Sequence, residues 1–211
     1  MRVERVIFGE YRANSYLVYE NNEAILIDAS LNVEKLTECL EKNEAQLKAV
    51  FLTHAHFDHI INLKQIIEKF DIKVYAHNKA LVNMQDQHKN MSDITSEPFV
   101  IEINENFVGL LDGDKVKCLP DKEIECFETP GHCESSMCFK IDNELFTGDT
   151  LFYGTCGRCD LWDSNVNEMK RSLLKIKDIS NITKYYPGHG YSMNNENAVN
   201  TINYCIENLL K

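Results

Sequence analysis

Alternating apolar and polar positions at the start of the chain predict β-strands. In Arg2–Phe8, Asn14–Glu20 and Glu23–Asp28 the apolar side chains recur as they do in short strands that are buried on one or both faces. The pair Asn21–Asn22, between the second and third stretches, favours the tight turn of a hairpin. We therefore predict that the chain begins as a meander of three strands.

Further along, apolar residues spaced three and four positions apart predict helices, and they alternate with more strand-like runs. The predicted helices are Val33–Glu41, Ile60–Phe70, Asn165–Ile176 and Asn195–Leu210. The further predicted strands are Leu47–Leu52, Lys115–Leu119, Ile124–Thr129, Met137–Ile141, Glu144–Thr147 and Thr183–Tyr186. This order of strands and helices predicts an α/β fold with sheets in the middle and helices outside.

Residues 86–114 interrupt the regular pattern. They are polar and irregular, with isolated apolar side chains, and they end in the turn signal Leu111–Asp114. We predict a long loop with room for one short element. Because loops of this length are commonly functional, this segment is a candidate lid.

Composition and charge narrow the class of protein. The 211 residues, 44% of them hydrophobic and 26% charged, suit one globular domain spanning 1–211. A net charge of −11 without clustered Lys and Arg argues against a nucleic-acid partner and leaves a small molecule as the expected one. The N-terminus lacks the apolar core of a signal peptide, and no run approaches the roughly 18 apolar residues of a membrane helix, so we expect a cytoplasmic protein that does not bind a membrane. The oligomeric state is left open.

Eight cysteines in such a chain are expected to be reduced thiols or metal ligands. Cys156 and Cys159 form a C-x-x-C motif, but no second pair stands at zinc-finger spacing, so a structural zinc there is the weaker interpretation. Cys133 and Cys138 are also expected near the site. We predict small buried thiols at these positions rather than a catalytic one.

The segment from Thr53 to Ile60, with sequence THAHFDHI, carries three imidazoles and a carboxylate directly after an apolar strand. In an extended segment, the side chains of His54 and His56 point the same way and could bind one ion together. Asp58 and His59 stand at the entry to the next helix, where they could bind a neighbouring ion. A solvated turn that contains histidine by chance is the alternative, but the positions of the other histidines argue against it.

Those other positions also follow predicted strands. His132 comes after a Pro-Gly turn, Asp149 ends the strand that begins at Glu144, and His189 lies in a second Pro-Gly turn. Only His77 and His88 fall outside this pattern.

Five imidazoles and two carboxylates exceed what one tetrahedral ion can use, so the sequence predicts two divalent ions. The donor types suit zinc first, with iron or manganese as alternatives. The predicted ligands are His54, His56 and His132 for one ion, Asp58, His59 and His189 for the other, and Asp149 as a bridge.

The motifs H-x-H-x-D-H, T-P-G-H, G-D-T-L-F and P-G-H-G stand in this order at 54–59, 129–132, 148–152 and 187–190. Together they resemble the metallo-β-lactamase superfamily, especially its glyoxalase II-like branch. The resemblance extends to Asn14–Tyr16, to Leu26–Asp28 and to Glu196 with Asn200. It implies an αββα sandwich with the metal site at one edge of the sheets, and the same ligand positions, with Asp58 also holding the attacking water.

The resemblance also bears on the substrate. The segment Thr155–Cys159 is similar to the C-G-K stretch of glyoxalase II, which makes Arg158 a candidate contact to a thiol carrier, although a structural role is an equal alternative. Tyr153 is a candidate at the substrate side. Glyoxalase II continues into a helical domain that supplies much of its glutathione pocket, whereas this chain stops at Lys211, and Cys133 stands where the family usually has Thr. We therefore expect the thiol pocket and the support of His132 to differ from those of glyoxalase II, and the acyl group and thiol carrier are left open.

The function expected is hydrolysis of a thioester, S-D-lactoylglutathione or similar, by hydroxide held between the ions. This reaction suits the sequence because a thiolate leaves without a strong acid. A lactonase or other esterase on the same site is the first alternative, since one fold hosts many reactions. An iron-dependent oxidoreductase resembling persulfide dioxygenases is the second, and a non-catalytic metal-binding protein is the third.

Overall fold

The computed structural model describes residues 1–7 and 9–210. Two sheets of six strands each form the centre of this part of the chain. Phe8, the last residue of the first predicted strand, lies outside this part. The first sheet contains, in spatial order, β1 (Arg2–Ile7), β2 (Asn14–Glu20), β3 (Glu23–Ile27), β4 (Gln46–Leu52), β5 (Lys73–His77) and β6 (Phe107–Leu110). Its first three strands form the predicted antiparallel meander, and β3 to β6 run parallel.

The second sheet is mostly antiparallel. Its strands are, in chain order, β7 (Lys115–Leu119), β8 (Lys122–Glu128), β9 (Met137–Ile141), β10 (Glu144–Gly148), β13 (Lys184–Pro187) and β14 (Met193–Asn194). In space they lie in the order β14, β13, β10, β9, β8 and β7, with β10 and β13 parallel. A small hairpin of β11 (Leu151–Phe152) and β12 (Thr155–Cys156) stands apart from both sheets.

Helices cover the outer face of each sheet. The helices are α1 (Val33–Lys42), α2 (Phe57–Ile60), α3 (Leu63–Phe70), α4 (Asn78–Asn83), α5 (Val166–Asp178) and α6 (Asn195–Tyr204), the last continued by a π-helical turn over Cys205–Leu209. No helix in the described ranges is long and apolar enough to span a membrane.

Side-chain alternation along β2 shows how the layers are built. Tyr16 and Val18 pack into the cluster between the two sheets, whereas Leu17 and Tyr19 pack into the cluster under α1 and α3. A further cluster joins the second sheet to α5 and α6. The layers are therefore helix, sheet, sheet and helix, and burial of the apolar faces between them is the main driving force for folding. The predicted αββα sandwich is confirmed.

The predicted helix Ile60–Phe70 is wrong as one continuous element. The chain forms α2, turns, and begins again as α3, with Asn62 as the residue before it. The break has a physical cause, since Asn62 donates its backbone N–H to Ala29 O at 3.1 Å and its side-chain amide to Ser30 O at 2.8 Å. These contacts bring the start of α3 against the end of β3.

Several regions carry more structure than the sequence pattern predicts, among them the β11–β12 hairpin and β14. No element was predicted between 71 and 85, where β5 and α4 lie. The loop predicted over 86–114 contains a short 3-10 turn at Ser92–Ile94 and β6, which is the edge strand of the first sheet. The remaining predicted elements are present, with ends that differ by up to two residues apart from the last helix, which changes to the π-helical turn after Tyr204.

Candidate metal centre

The seven predicted metal ligands all follow the carboxyl ends of strands. They are His54, His56, Asp58 and His59 after β4, His132 after β8, Asp149 after β10 and His189 after β13. The strands belong to both sheets, so the ligands meet at the edge where the two sheets face each other. Residues that are distant in the sequence are thereby collected at one place, as ligands commonly are at the carboxyl ends of strands.

His54, His56 and His132 form one group of three buried side chains. Each offers a ligand atom, and these atoms lie within 4.8 Å of one another. The closest pair is Nδ1 of His56 and Nε2 of His132, which are 3.0 Å apart. This is the same group that the sequence predicts around the first ion.

Asp58, His59 and His189 form a second group, again with ligand atoms within 4.8 Å of one another. Oδ2 of Asp58 lies 3.2 Å from Nε2 of His189 and 3.8 Å from Nε2 of His59. His59 is fully buried, while Asp58 and His189 are partly exposed. This group therefore stands on the solvent side of the centre, where a substrate can reach it.

Asp149 lies between the two groups. Its Oδ1 atom is 3.4 Å from Nε2 of His59, and its Oδ2 atom is 3.6 Å from Nε2 of both His132 and His189. One carboxylate thus contacts imidazoles of both groups, as a bridging ligand must.

Several ligand atoms are buried without any hydrogen-bond partner. They are Nε2 of His54, His56 and His59, and Oδ1 of Asp149. A buried polar atom without a partner costs about 1 to 3 kcal/mol, and such atoms are rare unless a ligand satisfies them. Imidazole nitrogens and carboxylate oxygens are the donors that zinc, iron and manganese accept in proteins, so these residues fit divalent metal.

The electrostatics of the centre suit a bound cation. Burial lowers the pKa of His54, and it lowers the pKa of His56 to about 3, so both rings are neutral at pH 7. Burial alone would lower the pKa of His59 as well, but the carboxylates of Asp58 and Asp28 outweigh it and raise that pKa. Burial likewise opposes the charge of Asp149, yet the surrounding imidazoles hold its pKa well below the usual range.

Asp28 orients the ligands from behind, a role that the sequence analysis did not assign. Its Oδ2 atom accepts from Nδ1 of His59 and from Oγ1 of Thr53, each at 2.8 Å, and its Oδ1 atom accepts from the Thr53 backbone N–H at 2.8 Å. Oγ1 of Thr53 also lies 3.1 Å from Nδ1 of His54. Partners of this kind fix the ring and leave the other nitrogen free for the ion. The available signal was a carboxylate directly after the apolar strand β3.

The turn that carries His189 is held by the second strand. Asn14 donates its side-chain amide to Pro187 O at 2.8 Å, and the Tyr16 hydroxyl donates to the same oxygen at 2.5 Å. Within this turn, a Cβ atom added at Gly188 would lie 2.1 Å from Oδ1 of Asp149. The turn therefore approaches the ligands too closely for any side chain at this position.

Arg158 and Tyr153 do not join the ligand groups. The Arg158 backbone carbonyl accepts from Nδ1 of His132 at 3.1 Å, while its exposed guanidinium forms two hydrogen bonds to Asp160, at 2.6 and 2.7 Å. Tyr153 is 58% exposed beside the start of the β11–β12 turn. Their predicted contacts with substrate remain predictions.

The two histidines outside the pattern have ordinary structural partners. His77 lies 3.0 Å from a Glu128 carboxylate oxygen and accepts from the backbone N–H of Lys79 at the start of α4. His88 is exposed and pairs with Asp93 at 2.9 Å. No metal-capable group within residues 1–7 and 9–210 includes a cysteine, so the structure gives no support to a zinc at the C-x-x-C motif.

Comparison with known protein sequences places these features in a family. The model of the metallo-beta-lactamase superfamily matches residues 8–189. The chain is 31% identical over 172 residues to the probable polyketide biosynthesis zinc-dependent hydrolase PksB of Bacillus subtilis, which covers 81% of this chain and 69% of that protein. It is 29% identical over 199 residues to the hydroxyacylglutathione hydrolase of Francisella tularensis subsp. novicida, which covers 92% of this chain and 70% of that protein.

Solved structures agree with this placement. The B3 metallo-beta-lactamase BLEG-1 superimposes with a TM-score of 0.86 at 26% identity, covering 94% of this chain and 97% of that one. TTHA1623 in a di-iron-bound form gives a TM-score of 0.80, also at 26% identity, covering 94% and 98%. With the matched family model, the αββα layers and the cluster of histidines and aspartates at the sheet edge, this chain belongs to the metallo-β-lactamase superfamily and to its metal-dependent hydrolases.

Proposed function

We propose that this protein is a thioester hydrolase of the glyoxalase II type with two divalent ions, zinc in the first instance. The observation that carries the proposal is the position of Asp149, whose two oxygens contact imidazoles of both ligand groups. Ions bound to such a set would lower the pKa of a water molecule and polarise a substrate oxygen. His54, His56 and His132 would hold one ion, Asp58, His59 and His189 the other, and Asp149 both.

Asp58 is the proposed catalytic residue among the ligands. Its side chain is partly exposed, unlike that of Asp149, and Oδ2 is the oxygen that faces His189 and His59. The carboxylate can therefore accept a hydrogen bond from the attacking water and orient it toward the substrate.

The choice of a thioester follows from the tyrosines that could protonate a leaving group. Burial raises the pKa of Tyr16, and its hydroxyl is already used to hold Pro187, so this tyrosine is a poor proton donor. Tyr153 is exposed, and in the active complex its hydroxyl would contact the substrate. A thiolate leaves without protonation, whereas an amine does not, so acyl-thiol cleavage needs the least from this site.

Aromatic rings beside the ligands supply apolar contact for the acyl or thiol group. The Phe152 ring lies 6.0 Å from the His189 ring. Phe57, which stands between His56 and Asp58 in the sequence, packs edge to face against Tyr11 at 4.7 Å. The similarity to a hydroxyacylglutathione hydrolase supports the same substrate class. We propose Arg158 and Tyr153 as additional contacts to the substrate.

The direct test is hydrolysis of S-D-lactoylglutathione by zinc-loaded protein, followed by loss of the thioester absorbance. We expect hydrolysis that stops when a chelator removes the metal. Hydrolysis that is unaffected by chelation, or no hydrolysis of any thioester by protein shown to hold two ions, would contradict the proposal. In the second case, activity on lactones or simple esters would identify the alternative hydrolase.

Asp149→Ala is the matched variant for this test. Because the carboxylate lies between both groups, we expect the variant to lose both bound metal and turnover. Metal content is measured by elemental analysis after dialysis. A variant that keeps near wild-type metal would show that Asp149 is not the bridge.

An iron-dependent oxidoreductase is the second candidate. The observation in its favour is the di-iron-bound form of TTHA1623, which resembles this chain over nearly its whole length. Protein loaded with ferrous iron under anaerobic conditions and then exposed to oxygen and a persulfide would consume oxygen if this alternative is correct. Zinc-loaded protein is the control, since zinc has no redox chemistry.

A further inference from the structure

A pair of thiols lies against the segment that supports His132, outside the proposed ligand set. Cys156 is the last residue of β12, and Cys205 begins the π-helical turn after α6. Both are buried in the cluster that joins the second sheet to α5 and α6, and both are free thiols. The C-x-x-C motif places Cys159 at the border of the same cluster.

The packing of α6 on the β11–β12 hairpin brings the pair together. The Gly154 backbone N–H donates to Oγ1 of Thr201 at 3.2 Å, which fixes the hairpin against the helix. Thr201 and Cys205 are four residues apart and therefore share a helix face. Because β12 packs on α6, the side chains of Cys156 and Cys205 lie in the same layer of the cluster. Their mutual interaction lowers the pKa of Cys156 and raises that of Cys205.

The residues after Cys156 form part of the support of the metal centre. A Cβ atom added at Gly157 would lie 1.9 Å from the Asp149 backbone oxygen and 3.1 Å from Cβ of His132. The next carbonyl, that of Arg158, accepts the hydrogen bond from Nδ1 of His132. A displacement of Cys156 would therefore move Gly157 and Arg158, and with them the ring of His132.

We propose that Cys156 and Cys205 are a redox modification site, at which a hydroperoxide forms a reversible disulfide that weakens the hold of the centre on zinc. The loss of zinc affinity rests on the proposed metal centre, whereas formation of the disulfide does not. The site is distinct from any catalytic role, because neither sulfur belongs to a ligand group.

The chemistry balances with the hydroperoxide as the oxidant. The Cys156 thiolate attacks one peroxide oxygen, the O–O bond breaks, and Cys156 becomes a sulfenic acid while the other oxygen leaves as an alcohol or water after taking a proton. The Cys205 thiol then attacks the sulfenic sulfur, the S–S bond forms and water leaves. Two electrons pass from the thiol pair to the peroxide, and a dithiol or phosphine reductant returns them.

Trypsin separates the relevant thiols without ambiguity. Cleavage after lysine and arginine places Cys156 in peptide 141–158, Cys159 in peptide 159–170 and Cys205 in peptide 185–211. Zinc-loaded protein is treated with hydrogen peroxide, blocked with an alkylating agent and digested. We expect a disulfide-linked pair of peptides 141–158 and 185–211 that disappears on reduction. A link between 141–158 and 159–170 instead, or irreversible oxidation of Cys156 with no link, would overturn the proposal.

Zinc affinity provides the second readout, measured by competition with a chromophoric chelator. We expect about a tenfold loss on oxidation, the size typical when the partner of a metal-binding histidine is disturbed, and recovery with a phosphine reductant. Cys205→Ser should keep its zinc affinity through the same treatment. Cys39→Ser, which removes a buried thiol in the other half of the molecule, is the matched control and should respond as wild type does. A linked pair of peptides with unchanged zinc affinity would contradict the proposed effect on the centre.

Discussion

Burial decides the charge of single histidines in this protein. His56 has a pKa lowered to about 3 because its ring is removed from water, whereas the equally buried His59 is surrounded by carboxylates that raise its pKa. Both rings can bind an ion, but only His56 is ready to do so without releasing a proton.

This difference predicts a pH effect on the metal-free protein. Above the ordinary histidine pKa of 6.5, His56 is neutral in both the folded and unfolded states and contributes nothing. As the pH falls below 6.5 the unfolded chain gains a proton that the folded state refuses, so folding loses up to roughly 1.4 kcal/mol for each pH unit. His56→Gln removes this loss.

We therefore expect the free energy of unfolding of His56→Gln to improve relative to wild type between pH 6.5 and pH 4. Urea unfolding with chelator present, at several pH values, measures it. A constant difference between the two proteins across that range would show that His56 is protonated in the folded state.

Variants can separate the proposed substrate-binding role of Arg158 from a purely structural role. If its guanidinium binds the substrate, Arg158→Ala should raise KM several-fold with little change in kcat. Asp160→Asn, which frees the guanidinium, should not raise KM. Because the Arg158–Asp160 pair is exposed, either variant should leave stability close to that of wild type. Steady-state kinetics on a hydrolysed thioester make the comparison, and an unchanged KM in Arg158→Ala would leave Arg158 with only a structural role.

The clustering of the seven predicted ligands could be predicted from the sequence because each of them stands just after an apolar run that is typical of a strand. Strand ends collect at a sheet edge whatever the details of the packing, so local pattern was sufficient. Asp28 was not assigned a role because its function depends on a 2.8 Å contact with His59, which is 31 residues away. Such a distance is fixed only when β3 and β4 pair.

At the scale of elements, the turns after the strands determine the shape of the centre. Strands with clear alternation of polar and apolar residues, such as β7, were predicted with correct ends. The helix α4 was missed because six residues are too few for helical periodicity to show, and β5 was missed because its apolar stretch, Val74–Ala76, is only three residues long. The break between α2 and α3 was missed because hydrogen bonds from another part of the chain, and not a local breaker, end the helix.

The turn after β13 gives a prediction at this scale. In Gly188→Ala the new Cβ would meet Oδ1 of Asp149 at 2.1 Å and Cε1 of His59 at 2.7 Å, so both side chains must move. We expect at least a tenfold loss of zinc affinity. Competition with a chromophoric chelator measures this loss.

Gly190→Ala is the matched control in the same turn. Its φ of +76° makes a side chain strained, but no atom lies within 4 Å of the new Cβ. It should cost about 1 kcal/mol of stability and leave zinc affinity close to that of wild type. Equal loss of zinc affinity in both variants would mean that strain in the turn, and not contact with the ligands, controls the centre.

At the scale of the whole molecule, the centre joins the two sheets. The first sheet supplies the ligands at 54–59 and the second supplies His132, Asp149 and His189. The apolar cluster between the sheets holds them together without metal, since it contains large buried rings such as Phe51 and Phe139, 5.3 Å apart. Bound ions should add to this stability because the unfolded chain cannot offer the complete set of ligands.

Metal removal should therefore lower Tm without unfolding the protein at room temperature. Free zinc at 100 times its Kd stabilises a protein by about 2.7 kcal/mol, which corresponds to roughly 5 to 10 °C in a chain of this size. Calorimetry of zinc-loaded and chelated samples gives the shift. An equal Tm in both samples, with zinc shown to be bound in one, would mean that zinc binds the unfolded chain as tightly as the folded protein.

The separation of the ligands along the chain has a consequence for biosynthesis. His56 and His132 lie 3.0 Å apart in the folded protein although 76 residues separate them, and His189 comes later still, after every strand except β14. On the ribosome the segment 54–59 emerges long before its partners, so it can hold an ion only loosely at that stage. With the proposed ligands, the full complement of metal can be acquired only after the second sheet has been made and has docked. The metal content of protein supplied with excess zinc should therefore follow the fraction of chains that have assembled correctly.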